Sequence, residues 1–339
     1  MRAAEILARF EAVSEERDGG FLARCVAHGD TTPSLRIWFG EDGKCRIVCR
    51  AGCDTADIVM EAGLRWRDMF DVQDIAVAVP ENPPTPVAER HLMALRRYVN
   101  VAAARFQENS AAREYVQRRF GIDAETAARL RIGLDNGTDP YLTLPFRTVR
   151  YRSYPRVTVP LMGADGEPRG LQGRDISGEC PDRWLSLTNP RGHRWAPYGL
   201  FTAASDSRTT IITEGPGDGL TAVSAGYNAL LIRGAQLAGN RDVLNEVRGA
   251  LAGQRLYVAG DGDASGARFA ERVSESLGAP VIKMPHAKWD LSEWRSKRPN
   301  FPEELAGKMA KAELAKSRET KEAEHWASFA RIWGEQHVR

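Results

Sequence analysis

The chain has 339 residues, 42% hydrophobic and 27% charged, with a formal net charge of +2. That length suits two or three domains with real cores, and a balance so even announces no polyanionic partner. Without an apolar run of about eighteen residues, a membrane-spanning helix is excluded.

The opening, Met1 to Leu7, reads as a short amphipathic helix and not as a secretory segment, so a cytoplasmic location is expected. Four of the five cysteines fall between Cys25 and Cys53, a clustering that favours metal over disulfides. Cys25-Val26-Ala27-His28 and Cys49-Arg50-Ala51-Gly52-Cys53 place two ligand pairs on two turns, with strand-like stretches at 34–39 and 45–48 between them. Tetrahedral Zn²⁺ takes Cys₃His, and four protein ligands leave no open position, so the role is structural. Cys45, four residues before Cys49, is an alternative ligand. Arg36 and Trp38 alternate onto one strand face, as do Lys44 and Arg46. Such a face could stack and grip single-stranded bases, with a plain solvated face as the competing reading. Asp54 then caps a helix that ends at Gly63. Together these features define a zinc-ribbon domain over residues 1–75.

Pro80, Pro83, Pro84 and Pro86 make residues 76–88 an extended linker. Helical spacing returns with Leu92, Leu95, Val99 and Phe106; a second helix stops at Gly121, and Asp123 caps a third. The period then shifts toward two at 141–144, 156–161 and 169–174, with Asp165-Gly166 as a hairpin signal. Every cation between Tyr141 and Leu200 is an arginine, which suits bidentate grip on phosphate; a solvated sheet face is again the alternative. Residues 89–207 thus read as a mixed helical and β-rich subdomain.

From residue 208 to about 300, strands alternate with helical stretches, which predicts a small, mostly parallel Rossmann-like α/β sheet with strands at 209–213, 228–232, 255–259 and 280–284. Two of these strands end in acids: Thr213 is followed by Glu214-Gly215-Pro216-Gly217-Asp218, and Ala259 by Gly260-Asp261-Gly262-Asp263. In an open α/β sheet the carboxyl ends of strands face the ligand crevice. Two unit charges about 4 Å apart at an effective dielectric near 20 cost roughly 4 kcal/mol. A hard divalent cation, Mg²⁺ or Mn²⁺, removes that cost and holds phosphates, which points to phosphoryl transfer. The local glycines do not fit a dinucleotide loop, since Leu220 stands where its third glycine belongs. Nor does Asp261 open an EF-hand, whose twelfth position is Arg272 here. Residues 301–339 form a charged helical tail with an apolar stripe of Trp326, Phe329 and Trp333.

Taken in order, these motifs resemble a DnaG-type primase, in particular phage and mobile-element versions. Cys25-x-x-His28, Pro33-Ser34-Leu35 and Cys49 to Cys53 are similar to the family's zinc-binding domain. The stretches from Ala112 to Gly121 and from Glu125 to Gly133 resemble the opening helices of its polymerase core. Arg156 with Val159-Pro160, Gly166, Gly173-Arg174 and Arg183-Trp184-Leu185 resemble its β-rich part. Glu214-Gly215-x-x-Asp218 and Asp261-Gly262-Asp263-x-x-Gly266 resemble its Toprim domain. The resemblance implies that Glu214, Asp261 and Asp263 bind catalytic magnesium, or that Glu214 is the acid/base group. Asp218 would support the Glu214 turn, and Asp290 would match a further carboxylate. Arg156, Arg174 and Arg183 would contact template or nucleotide, although Arg183 stands where a lysine is usual. The core's helical carboxyl-terminal part is expected to be shortened, and no helicase-binding domain is evident.

The expected architecture is therefore an α+β and α/β multidomain chain: zinc ribbon, mixed polymerase subdomain, Toprim domain and helical tail. The expected function is DNA primase, making short RNA primers de novo on single-stranded DNA from nucleoside triphosphates in the cytoplasm of a bacterial host cell. A replicative helicase or single-strand-binding protein is a further expected partner. The alternatives are a Toprim nuclease of a mobile element and a non-catalytic single-strand-binding replication factor.

Overall fold

The computed structural model describes residues 2–16, 19–28, 33–40, 42–73, 85–137, 147, 154–180, 183–187, 193–204, 206–233 and 237–336. The strand expected at 141–144 and most of the proline-rich stretch lie outside the described residues. The fold is mixed α and β, in two compact units: Met1–Pro86 with Asn189–Arg194, and Val87–Thr188 with Trp195–Arg339.

In the first unit, α1 (Ala3–Leu7) precedes an antiparallel sheet whose strands lie in sequence order: β1 (Ser14–Glu15), β2 (Phe21–Ala23), β3 (Leu35–Phe39) and β4 (Cys45–Cys49). Alternation buries Leu35, Ile37 and Ile47 while Arg36, Trp38, Arg46 and Val48 keep solvent access. Asp54 starts α2 (Thr55–Glu61) by accepting the Ala56 N–H at 2.7 Å. The helix contributes Ile58 and Val59 to the same core as Ile6, Leu35 and Ile37. A two-residue strand, β5 (Thr85–Pro86), ends this stretch.

The second unit opens with α3 (Glu89–Glu108), α4 (Ser110–Phe120) and α5 (Ala124–Arg129). Leu92, Leu95, Val99 and Phe106 are all buried, as their spacing requires. Asn109 and Asp123 cap the second and third helices, and Gly121 (φ 77°) closes α4 in the left-handed region. The strands that follow are β6 (Gly133–Asp135), β7 (Arg156–Met162), β8 (Pro168–Asp175) and β9 (Trp184–Ser186). The short β10 (His193–Arg194) belongs to the first unit, where it pairs in parallel with β5. Then come β11 (Tyr198–Phe201), β12 (Thr209–Thr213), α6 (Pro216–Ser224), β13 (Asn228–Ile232), α7 (Arg241–Ala250), β14 (Arg255–Ala259), α8 (Ala264–Leu277), α9 (Leu291–Lys297) and α10 (Phe301–Gln336).

One eight-stranded sheet runs β14-β12-β13-β11-β7-β8-β9, with β6 on β7. Its first three strands are parallel and the rest antiparallel. The parallel strands are apolar without alternation because both faces are covered. Ile211, Leu231 and Tyr257 face one core with Phe120, Leu220 and Trp294; Ile212, Leu230 and Val258 face another with Val243, Val247 and Phe269.

One strand prediction needs correction. Residues 280–284 make only an isolated parallel bridge, Val258 to Val281. Pro280 and Pro285 bracket the segment, and neither carries an N–H to extend a ladder. The side chains of Trp326, Phe329 and Trp333 lie outside the described residues. Among the described residues, no helix is long and apolar enough to cross a membrane.

Candidate functional site

In the first unit the ligand atoms of Cys25, His28, Cys49 and Cys53 all lie within 4.8 Å of one another, forming a Cys₃His zinc site. Gly52 (φ 88°) lets the second turn wrap back between Cys49 and Cys53. His28 Nδ1 sits 3.2 Å from Cys53 Sγ, and the Ala51 N–H donates to Cys49 Sγ at 3.3 Å. Burial works against a thiolate at Cys49, yet the Cys53 backbone, Ser34 and Ala51 hydrogen bonds outweigh it and bring the group down to about 6. The donor set is thus partly prepared for a cation that prefers sulfur and nitrogen.

Cys45 is not in this set. It pairs with Phe39 at one end of the β3–β4 ladder, whereas Cys49 pairs with Leu35 at the other. Four residues of strand separate the two by roughly 13 Å at the usual rise. Burial holds the Cys45 thiol up at about 12. Outside the sheet, Arg36 lies over the Trp38 ring at 5.5 Å and meets Glu16 at 3.2 Å, so the two side chains do share one face.

The acidic residues belong to the second unit. β12 and β14 are neighbours in parallel register, with Thr213 beside Ala259, so Glu214, the next residue, and Asp261, two past Ala259, leave the same end of the sheet. The glycines make the second turn possible. A Cβ on Gly260 would collide with the Gly266 carbonyl, and one on Gly266 would collide with the Asp261 backbone, so α8 packs straight onto the Asp261 loop. Asp263 caps that helix by accepting the Gly266 N–H at 2.8 Å. Opposite, the Gly262 N–H donates to the Trp289 carbonyl and the Lys288 N–H to the Gly262 carbonyl, each at 2.7 Å. Lys288 takes a left-handed conformation (φ 66°) to do this, a strained choice for a residue with a Cβ. Asp290 caps α9 through the Glu293 N–H at 2.6 Å.

Asp218 is buried, and its Oδ1 accepts from both the Ser292 N–H (3.2 Å) and the Ser292 hydroxyl (3.3 Å). Its Oδ1 is thus tied to α9, while its Oδ2 lies 4.0 Å from where a Cβ on Gly215, in the Glu214 turn, would stand. The link to α9 joins residues far apart in sequence, and no spacing rule signals it. Glu293, one residue on, also presses on Asp261 electrostatically and is likewise missed.

These acids share one field. Burial, then Glu214, Asp290 and Asp263, push Asp261 up to about 7. Burial and Asp263 raise Glu214; burial, Asp290 and Asp261 drive Asp218 well above the usual carboxylate range. They are not drawn as close as the zinc ligands: among the described residues, Cys25, His28, Cys49 and Cys53 are the one group of three or more acidic, cysteine or histidine side chains gathered tightly enough to hold a metal ion. Glu214 Oε2 is buried with no hydrogen-bond partner among the described residues. An orphaned carboxylate oxygen amid all-oxygen donors fits a hard divalent cation. A cavity of about 800 Å³ opens beside Asp261 and Asp263, with Lys283, His286 and Lys316 in its lining.

The arginines divide sharply. Arg156 is a correction to the expected contact surface. It is fully buried, donating to the Gly173 carbonyl at 3.2 Å and to Cys180 Sγ at 2.9 Å, so it braces the sheet and presents nothing to a template. Cys180 is itself buried. Arg147 is buried with Asp135 at 2.5 Å. Arg174 is half-buried, and Arg183 is exposed.

No family model and no curated protein sequence matches this chain. Solved structures do. The fold is similar to the zinc-binding and RNA polymerase domains of the Aquifex aeolicus primase, at 18% identity and TM-score 0.52, over 92% of this chain and 83% of that one. It is similar to a DnaG catalytic core at 19% identity and TM-score 0.50, over 65% and 79% of the two chains. The RNA polymerase domain of Mycobacterium tuberculosis DnaG primase gives 18% identity and TM-score 0.50, over 67% and 84%. At such identities the likeness establishes the fold, that of DnaG primase zinc-binding and polymerase domains.

Proposed function

We propose that this chain is a DNA primase that makes short RNA primers de novo on single-stranded DNA by divalent-metal-dependent nucleotidyl transfer. The observation that carries the reading is the strained acidic crevice: Glu214 with an orphaned buried oxygen beside Asp261 held at about 7. The fold likeness supports it, because the zinc-binding and RNA polymerase domains of a primase match over 92% of this chain. On this reading residues 208–300 are a Toprim domain, 89–207 the amino-terminal part of the polymerase core, and 1–75 a template-capturing zinc module that uses Arg36 and Trp38. A DnaG polymerase domain with TM-score 0.50 to this chain has been seen with double-stranded DNA, which agrees with a nucleic-acid substrate.

Glu214, Asp261 and Asp263 would hold Mg²⁺ or Mn²⁺, with Asp218 and Asp290 behind them. Bound there, the ion supplies Lewis-acid stabilisation of charge on the reacting phosphate. The reaction forms an O–P bond between a 3′-hydroxyl and an α-phosphate and breaks the α–β bond, with pyrophosphate leaving. In the alternative division of roles, Asp261 and Asp263 hold the ion and Glu214, raised by burial and by Asp263, takes the hydroxyl proton. Arg174 and Arg183 steer phosphates toward the crevice. Asp218, tied to Ser292, fixes α9 and with it Asp290.

The test is to incubate the protein with single-stranded DNA, Mg²⁺ and labelled nucleoside triphosphates without a primer. New oligonucleotides are expected, and none from Asp261→Asn or Glu214→Gln. Full activity in either variant would overturn the site assignment. Template cleavage in place of synthesis would move the reading to a nuclease.

A further inference from the structure

Arg174 is held in a way that the neighbouring arginines are not. Arg147 and Arg169 spend their charge on Asp135 and Asp165, and Arg156 is sealed inside the sheet. Arg174, half-buried at the end of β8, has no carboxylate within ion-pair distance among the described residues. Three aromatic side chains fix it. Its Nε donates to the Tyr115 hydroxyl at 2.7 Å. Its Cζ lies 5.4 Å from the Trp184 ring, directly across the β8–β9 ladder, and 5.8 Å from the Phe120 ring. The rings brace one another: Tyr115 meets Phe120 edge-on at 6.5 Å, and Phe120 lies 6.3 Å from Trp184.

Only Nε is hydrogen-bonded, so the two terminal nitrogens, the prongs that match a phosphate, make no hydrogen bond among the described residues. The cradle adjoins the acidic crevice. A Cβ on Gly217, three residues after Glu214, would stand 3.0 Å from Phe120 and 3.7 Å from Trp184. A long side chain loses much rotamer freedom when fixed, and a fork already fixed loses less when it binds. Stacking leaves the edge of the guanidinium open while desolvating its faces, which strengthens whatever the edge meets.

We propose that Tyr115, Phe120 and Trp184 are positioning residues that pre-orient the Arg174 guanidinium as a bidentate phosphate fork beside the Gly215–Gly217 turn. The proposal rests on the nucleotidyl-transfer reading for its ligand, the phosphate chain of a nucleoside triphosphate; a nucleic-acid backbone phosphate offers the same chemistry.

The experiment uses the full chain with two probes, inorganic tripolyphosphate and a short single-stranded oligonucleotide, titrated calorimetrically into wild type, Tyr115→Phe, Arg174→Lys and the double variant. Each single change is expected to weaken tripolyphosphate about tenfold, the effect of one charge-assisted hydrogen bond, and the double variant no more than either alone. Loss confined to the oligonucleotide assigns the fork to backbone phosphate and supports the cradle equally. Millimolar guanidinium should restore binding to Arg174→Ala, and not to Arg174→Ala combined with Tyr115→Phe, a difference that a purely structural role for Tyr115 does not produce. Wild-type binding by Tyr115→Phe, or additive losses, overturns the proposal. Primer synthesis is scored on the same wild-type sample. Primers made with unaltered variant binding leave the primase reading standing and remove the cradle; variant-sensitive binding without primers does the reverse.

Discussion

Replacing Asp261 by asparagine should make the metal-free protein more stable. The Asp261 carboxyl is held at about 7 against an ordinary 3.8, chiefly by burial and then by Glu214, Asp290 and Asp263. A raised carboxyl means that the folded state binds its proton more tightly than the unfolded chain does. Stability from this group is therefore full below about pH 4 and is lost as pH rises toward 7, after which the loss is constant. About three units at 1.36 kcal/mol each set a ceiling near 4 kcal/mol. Asp261 is partly open to water, and screening brings the expected cost to about 1–2 kcal/mol. Asparagine carries no such cost. In metal-free buffer near pH 8, without a chelator that would strip zinc, Asp261→Asn should melt about 2–8 °C higher than wild type. Near pH 4 the two should coincide. Adding Mg²⁺ should raise the wild-type melting temperature, by about 2.7 kcal/mol of stability at a hundred times its Kd, and leave the variant unchanged. A variant that melts at or below the wild-type temperature near pH 8 would show that the crevice is not electrostatically strained, and the case for a cation there would go with it.

Other expectations follow from the same geometry. Cys49→Ser should lose the zinc ion and unfold the first unit, whereas Cys45→Ser should keep one zinc per chain by metal analysis. Gly266→Ala puts a methyl against the Asp261 backbone and should cost about 2–3 kcal/mol, together with the Mg²⁺-induced rise in melting temperature. Asp135→Asn leaves Arg147 buried without its countercharge and should cost about 3–5 kcal/mol in denaturant unfolding. Joint replacement of Arg36 and Trp38 by alanine should weaken oligonucleotide binding and flatten its salt dependence by about one charge, with primer synthesis on saturating template less affected.

Much of this was legible in local pattern. Strands 209–213 and 255–259 were readable because apolar runs end in glycine-rich turns, and 228–232 as an apolar run in the strand-helix alternation; all three boundaries agree residue for residue. The Cys-x-x-His and Cys-x-x-x-Cys pairs announced their own convergence, since each pair is closed by a single turn. What sequence could not reveal depends on contacts between distant segments. Arg156 and Arg174 look alike as alternating cations, but β7 is covered on both faces and β8 carries Arg174 beside α4. Asp218 reads as part of the Glu214 motif, while its hydrogen bonds go to Ser292, which only the packing of α6 against α9 brings near. Tyr115 and Phe120 carried a signal, an aromatic pair on a helix ending in glycine, but nothing in it pointed to an arginine 59 residues away.

The sheet crosses the border that composition suggests near residue 207. β11, on one side of it, supplies four consecutive register partners to β13 on the other. A fragment cut at that border would leave Ala229 to Ile232 as a bare, apolar strand edge, the kind that recruits other chains. Expression of the acidic half alone should therefore give aggregates, while a fragment beginning before Tyr198 keeps that edge sheathed. The acids and the arginine cradle are thus riveted to one continuous plate of backbone hydrogen bonds. Swapping either half for a foreign counterpart would demand a matching strand as well as a matching surface.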